Sequence, residues 1–248
     1  MSHRKTRDQH EEKTQYFLDH IEELRVRLGY AMLAVTVGIV IGWFLFPAAY
    51  ALITAPIISS VKAHGGSIFT MQPSEGFFTR MKLSVVLGIA LASPVIIYQL
   101  WAFIRPGLLK HERRAVTPLM PVISVLFLCG MGLAYLMLPA IIRFFLNYIP
   151  HEVMPNLTYQ ESINLPVKTM LAFGMAFELP VILIGLVAIE MLTPQMLLRQ
   201  WRYAVVVIAF IAAIVTPTAD PLNWSLMMVP LLLLYFGTVL VALRIVKK

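Results

Sequence analysis

The sequence predicts an all-α integral membrane protein, an open bundle of six transmembrane helices with both termini on the cytoplasmic side. Three observations carry that expectation. The chain of 248 residues is 59% hydrophobic and only 13% charged, about half the charge density of a soluble domain. Apolar runs of roughly 19 residues or more recur along its whole length, enough to cross a hydrocarbon core. Basic residues alternate between connections: fifteen of the 20 Lys and Arg fall in the N-terminal arm, two connections and the C-terminal tail. Lysine and arginine accumulate on the cytoplasmic face, and an even number of spans returns both termini to it.

All of 1–248 reads as one membrane domain with spans at about 28–46, 83–104, 115–142, 165–189, 203–217 and 222–243. Backbone groups in lipid must be satisfied internally, so the spans are helices. No internal repeat is visible. Residues 1–13 read as a polar, mobile arm. From 14 to 27, Phe17, Ile21 and Leu24 recur at helical spacing with charges on the other faces, which predicts an amphipathic helix in the interface. Charge in place of an apolar core over these residues argues against a cleaved signal peptide.

The first span carries Gly38 and Gly42, a spacing that lets another helix approach closely. The first outer connection, 47–82, predicts a short helix over 48–61 broken at Pro56, then a turn around Gly65, Gly66 and Pro73. Pro106 and Gly107 end the second span. Cys129 in the third is expected to be a small buried hydrophobe, and as the only cysteine it has no intrachain partner. The fifth span offers about 15 residues, or about 22 Å against a core of about 30 Å; it is either little tilted, covered by its neighbours, or set where the bilayer is thinned, and local thinning is the expectation.

Catalysis finds no support. None of the six histidines lies in a predicted span, neither His111-Glu112 nor His151-Glu152 continues to a zinc-binding H-E-x-x-H, and no phosphate-binding loop occurs. No cofactor or metal is expected. The net charge of +7 follows from the topology rule and is no nucleic-acid footprint.

Three acids ask for a reason. Glu112 lies among Arg105, Lys110, Arg113 and Arg114 in WAFIRPGLLKHERR, where a carboxylate does not serve topology. It either pairs locally with Lys110 or Arg113 or binds something external. Glu23 precedes Arg27 by four residues, a favourable helix pair, yet such exposed pairs are worth only about 0.3–0.5 kcal/mol. Glu178, in AFELP, sits mid-span at a cost on the order of 3 kcal/mol. It either hydrogen-bonds as a neutral acid or faces a polar cavity opened where Pro180 frees the carbonyl of Ala176. Glu23 and Glu112 share the cytoplasmic rim by topology, and two carboxylates there suit two guanidinium groups.

The arm motif HIEELRVRL, the loop WAFIRPGLLKHERR, the fourth-span FELP and the TPTADP turn resemble the TatC family. The resemblance runs from about Tyr16 to Val246. It implies a concave bundle in the cytoplasmic membrane, the receptor for twin-arginine signal peptides in export of folded proteins driven by the proton-motive force. It also implies no catalytic activity of its own, and partnership with the single-span subunits TatA and TatB, with membrane lipid and with further copies of the chain. Glu23 and Glu112 fall on the family's twin-arginine site, with Arg25, Phe103, Pro106 and Arg113 at supporting positions. Pro56 matches a functional proline of the outer loop, Glu178 the intramembrane acid, and Asp220 the last acid. A partner-binding face is implied near Ala213 and Ile214. Two other classes compete. A secondary transporter would use Glu178 as midplane ligand but should show paired repeats with broken helices. A scaffold would merely assemble other membrane proteins.

Overall fold

Helices account for most of the described residues, as lipid demands. The computed structural model describes residues 2–107, 109–150, 152–215 and 221–246, with side chains described from Ile21 onward except at 115, 215, 222, 223, 245 and 246. The helices are α1 (Ser2–Ala63), α2 (Glu75–Ile104), α3 (Lys110–Val116), α4 (Met120–Leu146), α5 (Glu161–Ala176), α6 (Leu179–Ala188), α7 (Pro194–Arg199), α8 (Trp201–Val215) and α9 (Pro221–Val246). Short 3₁₀ turns at Arg105–Gly107 and Thr117–Leu119 join α2, α3 and α4.

Among the described residues, five helical stretches are long and apolar enough to cross a membrane: Ile21–Ala63, Glu75–Gly107, Lys110–Leu146, Glu161–Ala188 and Trp224–Arg244. The apolar part of α8, Trp201–Ile214, is shorter. Large apolar side chains such as Phe44, Leu136 and Leu233 stand exposed, as expected of faces turned to lipid. Cys129 is exposed on α4 rather than buried. The thiol's preference for interiors reflects escape from water, and that drive is missing where the outer solvent is also apolar.

The first expected breaks are absent. α1 runs from Ser2 to Ala63 as one helix, with Pro47 and Pro56 inside it. Neither the boundary between arm and interfacial helix nor the one before the first span interrupts the backbone, and Pro56 does not end the helix. A helix-interior proline orphans the carbonyl four residues earlier. Here other side chains take up those oxygens. Arg80 Nη2 donates to Trp43 O at 3.1 Å, and the Tyr135 hydroxyl donates to Leu52 O at 3.1 Å. In α2, which contains Pro94, Ser93 Oγ donates to Ala90 O at 2.8 Å.

Gly38 and Gly42 form a seam with α2. A Cβ on Gly38 would lie 2.5 Å from Gly88 O, and one on Gly42 would lie 2.7 Å from Ser84 O. The small-residue spacing is thus spent within the chain.

The connections 64–74 and 147–160 are stitched together, which the sequence does not announce. β1 (Ile68–Phe69) pairs in parallel with β2 (Leu157–Thr158). Asn156 Oδ1 accepts from both Ser67 N at 3.1 Å and Ser67 Oγ at 3.0 Å. Gly66 is required there, since a Cβ would meet Pro155 O at 2.0 Å. Tyr159 stacks on Tyr50 of α1, with ring centroids 5.1 Å apart. The main buried cluster joins α4, α5, α8 and α9 through Ala134, Phe173, Ile208, Ala212, Met227 and Leu231.

Candidate functional site

The chemistry-bearing residues gather where α1 passes the end of α2 and the chain turns into α3. Glu23 lies on the α1 face that meets α2. Its Oε1 accepts from Arg27 Nε at 2.9 Å and from Arg27 Nη2 at 2.5 Å, with both side chains about one third exposed. The expected i,i+4 pair therefore forms. It lies in a cavity of about 590 Å³ lined by Glu22, Glu23, Val26, Arg27, Tyr30, Tyr98 and Gln99. Two carboxylates, two phenol rings and a carboxamide make a lining suited to a guanidinium. The acids supply charge, the rings supply faces for a planar cation, and Gln99 supplies a further acceptor. Arg25 is exposed on α1 and does not line this cavity.

Glu112 does not make the local ion pair that was one expectation; it takes another local role. Leu109 precedes α3 with extended backbone, and its N–H donates to Glu112 Oε2 at 2.8 Å. This is the reach-back half of a capping box. The other half is missing, because a leucine side chain has no acceptor. Among the described residues no ion pair forms between Glu112 and Lys110 or Arg113. Phe103 is half-buried near the end of α2, and Pro106 is exposed in the turn that follows.

Next to Glu112, a second cavity of about 970 Å³ is lined by Tyr98, Trp101, Arg105, Lys110, Arg113 and Arg114, among others. It is basic where the first is acidic. Glu23 and Glu112 do not share a cavity: Glu112 lines neither, and the two cavities meet at Tyr98.

Glu178 occupies a break in the fourth apolar stretch. α5 ends at Ala176 and α6 begins at Leu179, and the Glu178 carbonyl accepts from Val181 N at 3.0 Å and Ile182 N at 3.1 Å. Its Oε1 is buried and finds no hydrogen-bond partner among the described residues. α4 lies close beside this break, since a Cβ on Gly130 would meet Phe173 O at 2.7 Å and the Phe177 ring at 2.9 Å.

Pro56 is half-buried in α1, and its carbonyl accepts from Ser60 Oγ at 2.8 Å. Ala213 and Ile214 lie exposed at the end of α8. Asp220 falls outside the described residues. Sequence reasoning overlooked Tyr98, Gln99 and Glu22 as cavity residues. A readable signal was Tyr98, a polar-tipped ring three residues before Trp101 near a predicted membrane boundary. Arg80 does more than set topology: its guanidinium lies 4.4 Å from the Trp43 ring centroid and donates to that residue's carbonyl.

Among the described residues no cluster of His, Cys, Asp or Glu has the grouping of a metal site.

Comparison with known proteins shows what this arrangement belongs to. Residues 19–230 match the family model described as Sec-independent protein translocase protein (TatC). A protein of that name from Koribacter versatilis is 33% identical over 235 residues, covering 94% of this chain and 86% of the relative. The chloroplastic TATC of Pisum sativum is 37% identical over 229 residues, 92% of this chain and 64% of the relative. A crystal structure of the twin arginine translocase receptor TatC, in DDM, superposes with a TM-score of 0.75 at 34% identity, covering 90% of this chain and 99% of that one.

Proposed function

The chain belongs to the TatC family of Sec-independent protein translocase proteins, and from that premise we propose that it receives twin-arginine signal peptides and starts export of their folded cargo. As a family member it is a multi-pass membrane protein and a transport component of a Tat translocase, not a known enzyme. One observation supports the receptor reading most: the acidic cavity already holds a guanidinium. Arg27 sits on Glu23 with two donors, so a cargo arginine needs only to exchange for it. The exchange is inexpensive where a part-buried i,i+4 pair is worth little more than the about 0.3–0.5 kcal/mol of such helix pairs.

In this reading Glu23 and Glu112 take the two arginines. Arg25, Phe103, Pro106 and Arg113 support the loop and helix that carry them. Binding would draw Glu112 off the Leu109 amide and couple occupancy to the turn around Pro106. The lining favours a second assignment for one residue. Glu22 shares the cavity with Glu23 and Glu112 does not, so Glu22 is the rival second carboxylate.

The remaining parts follow the basic-residue pattern and the family. Both termini lie in the cytoplasm, α8 is a sixth, short span, and the protein resides in the cytoplasmic membrane. Glu178 offers a polar contact within the membrane, Pro56 and Asp220 serve the outer face, and Ala213 and Ile214 lie on a face for the single-span partners TatA and TatB. Several copies of the chain assemble, and the proton-motive force drives transport. Crosslinking to a twin-arginine peptide tests the site. Glu112→Lys should abolish it, while Glu22→Gln should leave most of it. The reverse pattern would transfer the second role to Glu22.

A further inference from the structure

The basic cavity beside Glu112 is not explained by arginine recognition. Arg105, Lys110, Arg113 and Arg114 all line it and no acid does, so it repels the peptide that its acidic neighbour attracts. Among the described residues none of these four side chains forms an ion pair. Arg105, Lys110 and Arg114 are exposed and Arg113 is half-buried, so water screens their mutual repulsion, and an anion among them would remove more of it.

The cavity is also the head of a longer feature. Trp101 and Met120 line both it and an apolar slot of about 370 Å³. That slot is walled by Leu100, Ile104, Val116, Ile123 and Gly185 from α2, α3, α4 and α6, and by Ile189 just past α6. A cationic pocket therefore opens onto an uncharged groove, at the end of apolar helices where a bilayer's polar boundary falls. Trp101 stands at the junction and Tyr98 on the cationic side of it, as aromatic residues do at that boundary. An anion attached to an apolar chain satisfies both halves. A soluble phosphate satisfies only the first.

We propose that the basic cavity and the apolar slot together form a binding site for one anionic phospholipid from the adjoining leaflet. The headgroup phosphate sits among Arg105, Lys110, Arg113 and Arg114, and one acyl chain lies past Trp101 in the slot. Arg guanidinium groups suit the phosphate because they present paired donors. The bound lipid neutralises the cations beside the acidic cavity and holds the α3 loop against the bundle. This site shares Arg113 with the supporting residues of arginine recognition, but none of its cations takes a cargo arginine, so it stands whether or not that reading does.

The test uses the purified full-length chain in a neutral detergent, with retained lipid counted by native mass spectrometry. Dioleoylphosphatidylglycerol should be retained in preference to dioleoylphosphatidylcholine, with one molecule per chain. Removing positive charge should weaken retention about fivefold per residue, or about 25-fold for Lys110→Gln with Arg114→Gln. Arg199→Gln with Arg202→Gln, in another basic connection, should change it little. Gly185→Leu fills the slot without touching a charge; a Cβ there meets nothing within 4 Å, and retention should fall. Phosphatidylglycerol carrying brominated acyl chains should quench tryptophan emission in the unaltered protein, and Trp101→Phe should remove most of that quenching. Equal retention of the two lipids would overturn the proposal and leave an acidic protein segment as occupant. Equal loss in both double variants would reduce it to a diffuse surface charge, and no effect of Gly185→Leu would remove the acyl chain from the slot.

Discussion

Tyr135 and Pro56 show how a single residue's chemistry is answered from elsewhere in the molecule. Pro56 withholds the amide that would bond Leu52 O, and the Tyr135 hydroxyl replaces it at 3.1 Å. Tyr135→Phe should therefore cost about 1 kcal/mol of stability. In a Pro56→Ala background the restored amide takes over, and the cost should fall towards zero. A double-mutant cycle by equilibrium unfolding in mixed micelles measures the coupling; independent effects would contradict the pairing. The Glu23–Arg27 pair was legible, because four residues of helix bring those groups together wherever the helix goes. The Glu112 cap was not, because the residue at the cap position is Leu109 and the usual Ser, Thr, Asp or Asn signal is absent. The proline caps were illegible for another reason. Their donors, Arg80 and Tyr135, lie 37 and 83 residues from the oxygens they serve.

At the scale of elements, α1 and α2 pack through positions that tolerate no side chain. A Cβ on Gly88 would come 2.6 Å from Ile39 N, so Gly88→Ala forces the helices apart. Overpacking of this kind costs about 1–3 kcal/mol. Gly29→Ala, where a Cβ meets nothing within 4 Å, should be nearly neutral in the same unfolding assay. The G-x-x-x-G spacing announced a close approach but not its partner, since periodicity describes one helix and packing needs two. The connections 64–74 and 147–160 were the least legible elements. Two-residue strands are too short for a pattern, and β1 and β2 find each other across almost 90 residues. Their docking has a pH limit. Burial and the neighbouring Tyr50 raise the Tyr159 phenol above its ordinary value of about 10, although Arg80 opposes the shift. The folded state thus holds the Tyr159 proton more tightly than the unfolded one, and its contribution is intact below about pH 10. It is lost as pH rises through the elevated value. Hydrogen exchange at Leu157 and Tyr159 amides should quicken above about pH 10, and Tyr159→Phe should remove that component.

For the whole molecule, hydropathy and charge alone foretold a helical membrane protein, and the helices bear that out. Lipid leaves no other backbone solution, so composition speaks more directly here than in water. What it could not foretell was the continuity of α1 or the adjacency of an acidic and a basic cavity at Tyr98, since both depend on contacts between distant segments. That adjacency shapes the central claim. An acidic cavity suited to guanidinium, set beside a basic one that repels it, restricts where a pair of arginines can go.

The most direct measurement is capture of this protein by immobilised signal peptides that differ only in the paired residues. An arginine-pair peptide should retain the chain, and a lysine-pair peptide should not, because an ammonium lacks the planar two-donor fork that carboxylates accept. The arginine-pair capture should disappear with Glu23→Gln. Equal capture by both peptides, or capture that survives Glu23→Gln unchanged, would contradict recognition of the arginine pair at this cavity.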